Sequence, residues 1–203
     1  YWVKVSTATT LSLTDCEPVS YDGEEVTYAI EYGNNLISYP YQLSQGLGSA
    51  LGDAAADIYA VAGQGVAALN TENGWVGSLS AFEGGSGYWV VATDGFDFNF
   101  NEPSDDELAK ALFSSPREVK EFPYSQSDQQ AFFFIESATI NGESLANDDI
   151  IIAYNGDVVV GSRFWNDDFT EISVMGESYH FITGELDEWT AGYMQVGDKV
   201  NFK

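Results

Sequence analysis

The stretch "IIIAYNGDVVVGSRFW", residues 150–165, limits the fold more than any other part of the chain. Asn155-Gly156 sits between two apolar runs of strand length. A two-residue type I′ hairpin turn needs positive φ at both central positions, and Asn followed by Gly tolerates that best. The expectation is a hairpin with Asn155-Gly156 at its tip, pairing 150–154 with 157–162. "TINGESL" offers a second Asn-Gly turn at Asn141-Gly142.

The same pattern recurs along the chain. In "EVTYAIEY", Val26, Tyr28 and Ile30 alternate with Thr27, Ala29 and Glu31, the period-2 signature of a half-buried strand. "NLISYP", "DIYAVAG", "GVAALN", "GWVGSLSAF" and "YWVVAT" follow as short strands separated by Gly, Asn and Asp. "QAFFFIESATI" reads as a longer strand, with Phe132 and Phe134 on one face and Phe133 and Ile135 on the other. The predicted class is all-β in the main: tandem small β-sandwich or β-sheet modules. Apolar residues make up 44% of the 203, enough for a packed core. "QGLGSALGDAAAD" is Ala- and Leu-rich and reads as a short helix weakened by its glycines. A second short helix is expected near 105–113. Ser104 would cap it, Asp105, Asp106 and Glu107 would favour its N-terminus, and Pro116 would stop it.

Tyr1-Trp2-Val3 opens the chain and recurs at Tyr88-Trp89-Val90, 87 residues later. The later copy closes a unit, so the earlier one reads as the closing strand of a preceding copy. The expected organisation is a closing strand over 1–13, a linker over 14–24, a first β module over 25–100, a linker with the short helix over 101–122, and a second β module over 123–203. Both ends then read as trimmed.

Charge excludes whole classes of partner. Seven Lys and Arg face 32 Asp and Glu, a formal net charge of −25. Such a chain repels nucleic acid and anionic lipid, and a carboxylate-rich surface keeps it hydrated in salt. No run of 18 apolar residues is present, so membrane insertion is not expected. Cys16 is alone, which rules out an internal disulfide.

Candidate chemistry is sparse. The single histidine, His180 in "ESYHFITG", would have to serve any His-dependent site, and the only cysteine is far from it in sequence. No nucleophile elbow or phosphate loop is present, and one His with one Cys cannot supply a zinc site. No catalytic residue and no cofactor is expected. Calcium is the one metal with candidates: Asp148 and Asp149 after Asn147, and Asp167 and Asp168 after Asn166, since clustered carboxylate and amide oxygens suit a hard cation. Hydrated turns favour the same residues. Trp75, Trp89 and Trp165 are candidate platforms for sugar rings, though each also sits where cross-strand aromatic packing stabilises sheets.

The quoted residues also carry a resemblance. "NNLISYPYQ", with "GWVGSLSAFEGGSGYWVV", resembles a repeat of large modular bacterial surface proteins and of virion structural proteins of some tailed phages of marine cyanobacteria. "QAFFFIESATINGESLANDDIIIAYNGDVVVGSRFW" followed by "TAGYMQVGDKVNFK" resembles the module found beside that repeat. The sequence departs from the pattern at Ile150, Ile151 and Ser162, and Val159 stands where a Cys is common. The resemblance implies an extracellular or virion-surface location and a structural, adhesive class without catalysis. Its implied partners are other copies or other subunits of one assembly. Cell-surface glycans are the alternative partner, through a carbohydrate-binding adhesin module.

Overall fold

The computed structural model describes residues 5, 7–10, 12, 26–104, 116–166 and 169–203. Strands dominate them, as the alternation predicts. Two compact units are resolved, 1–63 with 68–114 and 64–67 with 115–203. The expected closing strand over 1–13 lies largely outside the described residues. So do the 14–24 linker, the helix near 105–113, Cys16, Asp167 and Asp168. No helix among the described residues is long and apolar enough to cross a membrane.

The first unit is built from β1 (Tyr28–Ile30), β2 (Gly33–Ser38), β3 (Gln45–Gly46), α1 (Leu47–Leu51), a 3-10 turn (Gly52–Asp57), β4 (Ile58–Ala62), β5 (Ala67–Thr71), β6 (Gly74–Gly77), β7 (Ala81–Phe82), β8 (Gly87–Ala92) and β9 (Phe96–Phe98). The main sheet has the order β2-β8-β4-β5-β6, and β1-β9 and β3-β7 form two short ladders. "QGLGSALGDAAAD" is helical as read, but α1 spans only five residues before the 3-10 turn takes over. Its buried Leu47, Ala50 and Leu51 give it a packing role that its glycine-weakened propensity could not supply. Along β8, Tyr88, Val90 and Ala92 are buried while Trp89 is exposed, so one sheet face makes the core. That core is aromatic at one end: Phe82 is fully buried, stacks on Tyr39 and meets Tyr88 and Phe100 edge-on. Buried polar groups there are paired. Tyr39 donates to Gln45 Oε1 at 3.0 Å, and the Glu83 N–H donates to the Tyr88 hydroxyl at 2.8 Å. Burial pushes the Tyr88 phenol above its ordinary pKa.

The second unit contains β10 (Gln130–Ile135), β11 (Thr139–Ile140), β12 (Glu143–Ser144), β13 (Ile150–Asn155), β14 (Val158–Phe164), β15 (Thr170–Met175), a 3-10 turn (Glu188–Thr190) and β16 (Asn201–Phe202). The sheets are β14-β13-β16, β10-β15 and β11-β12. Their common core holds Ile151, Ala153, Val160, Trp165, Ile172, Val174, Met175 and Tyr193. β14 meets β15 backbone to backbone at Gly161, where any Cβ would run into the Ser173 carbonyl oxygen.

The Asn141-Gly142 turn forms as expected, with φ of 54° and 86°. The second hairpin corrects the sequence reading by one residue. Asn155 pairs with Val158, so Gly156 and Asp157 form the turn. Only Gly156 has positive φ, 58°, which fits a II′-like turn with Gly first rather than type I′. Asn155 is held elsewhere: its side-chain amide donates to the carbonyls of Gly192 and Tyr193 at 3.1 and 3.0 Å.

β15 has no counterpart in the sequence reading. All six of its residues are buried, including Glu171, so no alternation marks it. The Glu171 carboxylate accepts a hydrogen bond from Arg163 Nη2 at 2.7 Å, in an ion pair almost closed to solvent. The same Nη2 donates to the Gly65 carbonyl, in the short segment 64–67 that belongs to this unit.

Candidate functional site

A groove of about 510 Å³ opens on the second unit. Ala131 and Phe133 from β10, Val174 from β15, and Met194, Val196 and Val200 from the C-terminal segment give it an apolar lining. The C-terminal segment is held there by its backbone. Glu177 N–H donates to the Met194 carbonyl at 2.9 Å, and Met194 N–H donates to Met175 at 3.2 Å. Its volume lies within the ~300–1,000 Å³ range of ligand clefts.

Polar groups gather along one side. The Glu177 carboxylate accepts from the Tyr179 hydroxyl at 2.6 Å, from Gln195 Nε2 at 2.7 Å and from the Gly192 N–H at 3.1 Å. These donors hold the Glu177 carboxyl below its ordinary pKa, the Tyr179 hydroxyl contributing most. The same contact pushes the Tyr179 phenol up. Asp198 accepts from the Gln195 N–H at 2.8 Å, so two carboxylates bracket Gln195. Between 176 and 200 the chain carries five carboxylates and one basic side chain, Lys199.

Beside the groove rises a loop that displays apolar side chains to solvent. Phe181 is 62% exposed, Ile182 69% and Trp189 52%, and Val196 of the C-terminal segment is fully exposed. The loop is nonetheless tightly tied. Asp187 N–H donates to the Ser178 carbonyl, His180 N–H to Glu185, and Gly184 N–H to His180, at 2.8, 2.7 and 2.7 Å. Buried Ser178 adds a 2.6 Å hydroxyl bond to Asp187. A side chain displayed on so ordered a backbone loses little freedom when a partner covers it.

His180 belongs to this loop. Its Nδ1 faces the Thr183 N–H and hydroxyl, both at 3.3 Å, and its ring stacks on Phe181. The Thr183 hydroxyl lies 3.2 Å from Glu185 and donates to it. These bonds shape the turn.

The tryptophan candidates separate sharply. Trp165 is a correction: at 5% exposure it is part of the second core and cannot present a face to a sugar. It directly follows β14, and its backbone N–H donates to the Asp149 carbonyl at 2.7 Å. Trp75 is half-buried, its indole close to Gly48 of α1. Trp89 stands on the outward face of β8, in register with Leu36 on one side and Ala62 on the other.

The calcium candidates that can be described do not converge. Asp148 pairs with Arg117 at 2.9 Å on the surface. The Asp149 carboxylate caps its own turn, accepting the Ala146 N–H at 2.7 Å. Among the described residues no three His, Cys, Asp or Glu groups come together as a metal site would need. Asp167 and Asp168 lie outside the described residues.

The groove and the loop were invisible to sequence reasoning. "SYHFITGELDEW" carries its apolar residues at irregular spacing, so neither a period of 2 nor one of 3.6 separates inward from outward positions. Its one signal was an excess of aromatics within a turn-rich, acidic stretch.

No family model matches the chain, and no curated protein or solved structure is significantly similar to it.

Proposed function

We propose that this chain is a non-enzymatic structural module of a large extracellular or virion-surface assembly, where it contributes to assembly or adhesion. The observation that carries this reading is the apolar rim of the second unit: Phe181, Ile182, Trp189 and Val196 held out to solvent on a hydrogen-bonded backbone. Exposed apolar side chains that form a contiguous patch on an ordered scaffold mark a contact surface, and these four lie within sixteen residues of sequence. A net charge of −25 keeps the remaining surface hydrated while that rim waits for a partner. The resemblance of the two sequence blocks to repeats of modular surface and virion proteins points the same way.

The test is incorporation into the native particle or surface layer. Replacing Phe181 and Ile182 together by Ser removes apolar area from a loop tip that supports no core, so folding should persist. The reading expects loss of incorporation with an unchanged circular-dichroism spectrum. Normal incorporation of the double variant would overturn it.

One observation favours a second reading, the carbohydrate-binding module. Trp89 lies exposed on a sheet face beside Leu36, an arrangement that suits stacking of a sugar ring. A glycan array probed with the chain and with Trp89→Ala separates the two readings. Glycan binding that is lost in the variant supports adhesion through sugars, and an array without signal leaves the assembly reading in place.

A further inference from the structure

We infer that the groove of the second unit receives an extended segment of a different, basic protein chain. In this arrangement an apolar side chain of the partner fills the hollow over Phe133, Val174, Met194 and Val200, and flanking Lys or Arg residues meet Glu177 and Asp198. The inference rests on the assembly reading above and names a partner for the groove, which shares Val196 with that surface.

Three observations select this occupant. The first is the groove itself, whose apolar lining of Ala131, Phe133, Val174, Met194, Val196 and Val200 lies with the carboxylates of Glu177 and Asp198. The second is the state of Glu177. Three donors fix its position, so its charge is aimed before any ligand arrives. A carboxylate has room for about four hydrogen bonds, which leaves a site for a cation. The third is charge balance. Glu177 and Asp198 both line the groove, and between 176 and 200 five carboxylates stand against one basic residue, Lys199, so the rim is net negative. A second copy of this chain would bring 32 acidic residues against seven basic ones, and like charge opposes that contact. A basic partner gains from the same field, both in encounter rate and in register.

The partner is expected to be extended rather than helical. The groove's lining includes Ala131 and Val174, register partners across the β10-β15 ladder. An extended peptide places alternate side chains on opposite faces, which matches one apolar hollow with charged groups along its margin.

The experiment uses the whole chain and three synthetic seven-residue peptides, observed by fluorescence anisotropy. One alternates Lys with Val and Phe, the second replaces Val and Phe by Ser, and the third replaces Lys by Glu. The first should bind saturably at one to one, at least tenfold tighter than the second, and should weaken as salt rises. The third should not bind. Glu177→Gln with Asp198→Asn should weaken the first peptide about tenfold, and Ala131→Trp, which fills the groove from an exposed position, should abolish its binding. Equal binding of the Lys-Val-Phe and Lys-Ser peptides would reduce the effect to bulk charge attraction and overturn the inference. So would binding of the Glu peptide, unchanged affinity in both variants, or self-association of the chain that Ala131→Trp abolishes. If no peptide binds while the chain still enters its native assembly, the inference falls and the assembly reading stands.

Discussion

Adding a single methyl group at Gly161 should be the most damaging small change in the second unit. Gly161 lies in β14, between Ala153 of β13 and the backbone of β15. A Cβ there would sit 3.5 Å from the Ala153 Cβ, an ordinary contact, but would collide with the Ser173 carbonyl. That oxygen belongs to the backbone of a fully buried strand whose register with β10 is fixed over six residue pairs. Relief therefore requires two strands to part, not one side chain to turn. Overpacking of this kind costs about 1–3 kcal/mol, and a rigid backbone obstacle places Gly161→Ala near the top of that range, about 2–3 kcal/mol. For a unit of this size each 1 kcal/mol moves Tm by about 4–8 °C, so the expected drop is roughly 8–24 °C. Gly156→Ala is the control. Its φ of 58° strains any L-residue, yet nothing lies within 4 Å of a new Cβ. That variant should cost only about 1 kcal/mol. Thermal melts followed through the near-ultraviolet signal of buried Trp165 report on this unit. A Gly161→Ala variant that melts at or above the temperature of Gly156→Ala would refute the close approach of β14 to β15.

Three further outcomes are expected. Glu171→Ala leaves the Arg163 guanidinium buried without its carboxylate and should cost about 3–5 kcal/mol in urea unfolding, whereas replacing both partners by apolar residues of similar volume should recover most of that loss. Trp165→Ala should destabilise the chain by about 3–5 kcal/mol, while Trp89→Ala, at 39% exposure, should cost clearly less. Glu177 should titrate below an ordinary glutamate in a carboxyl-detected NMR titration, and Tyr179→Phe should raise its pKa. Because the folded value is the lower one, the stabilisation from Glu177 is complete above the unfolded pKa and disappears as pH falls through the folded value.

What the sequence disclosed depended on whether a strand has a wet face. β8 and the Asn141-Gly142 hairpin declared themselves, the first through alternation of Tyr88, Val90 and Ala92 with Trp89, the second through a turn needing two positive φ values. β15 stayed hidden because both of its faces are covered and Glu171 interrupts its apolar run. The hairpin at 155–158 slipped by one residue because Asn155, the expected turn residue, spends its side chain on the carbonyls of Gly192 and Tyr193. That contact joins positions 37 and 38 residues apart, and no local rule contains it. The groove is non-local in the same way. β10, the end of β15 and the segment around Met194–Val200 meet only in three dimensions, and Gly176 and Met194 are joined by a parallel bridge. Trp165 shows the reverse limit: composition marks an aromatic, and only packing decides whether it faces a core or a ligand.

The claim that the groove rim of the second unit is a contact surface is tested most directly by a photo-reactive side chain at position 196, introduced into the chain within the proposed assembly. Val196 is fully exposed and lines the groove, so a partner seated there lies within reach. The account predicts a cross-link to one segment of a different protein, rich in Lys or Arg, and a weaker or absent product when the reactive group is placed at exposed Tyr32 instead. Cross-linking that is equal at both positions, or absent at 196 while the chain is incorporated, would contradict it.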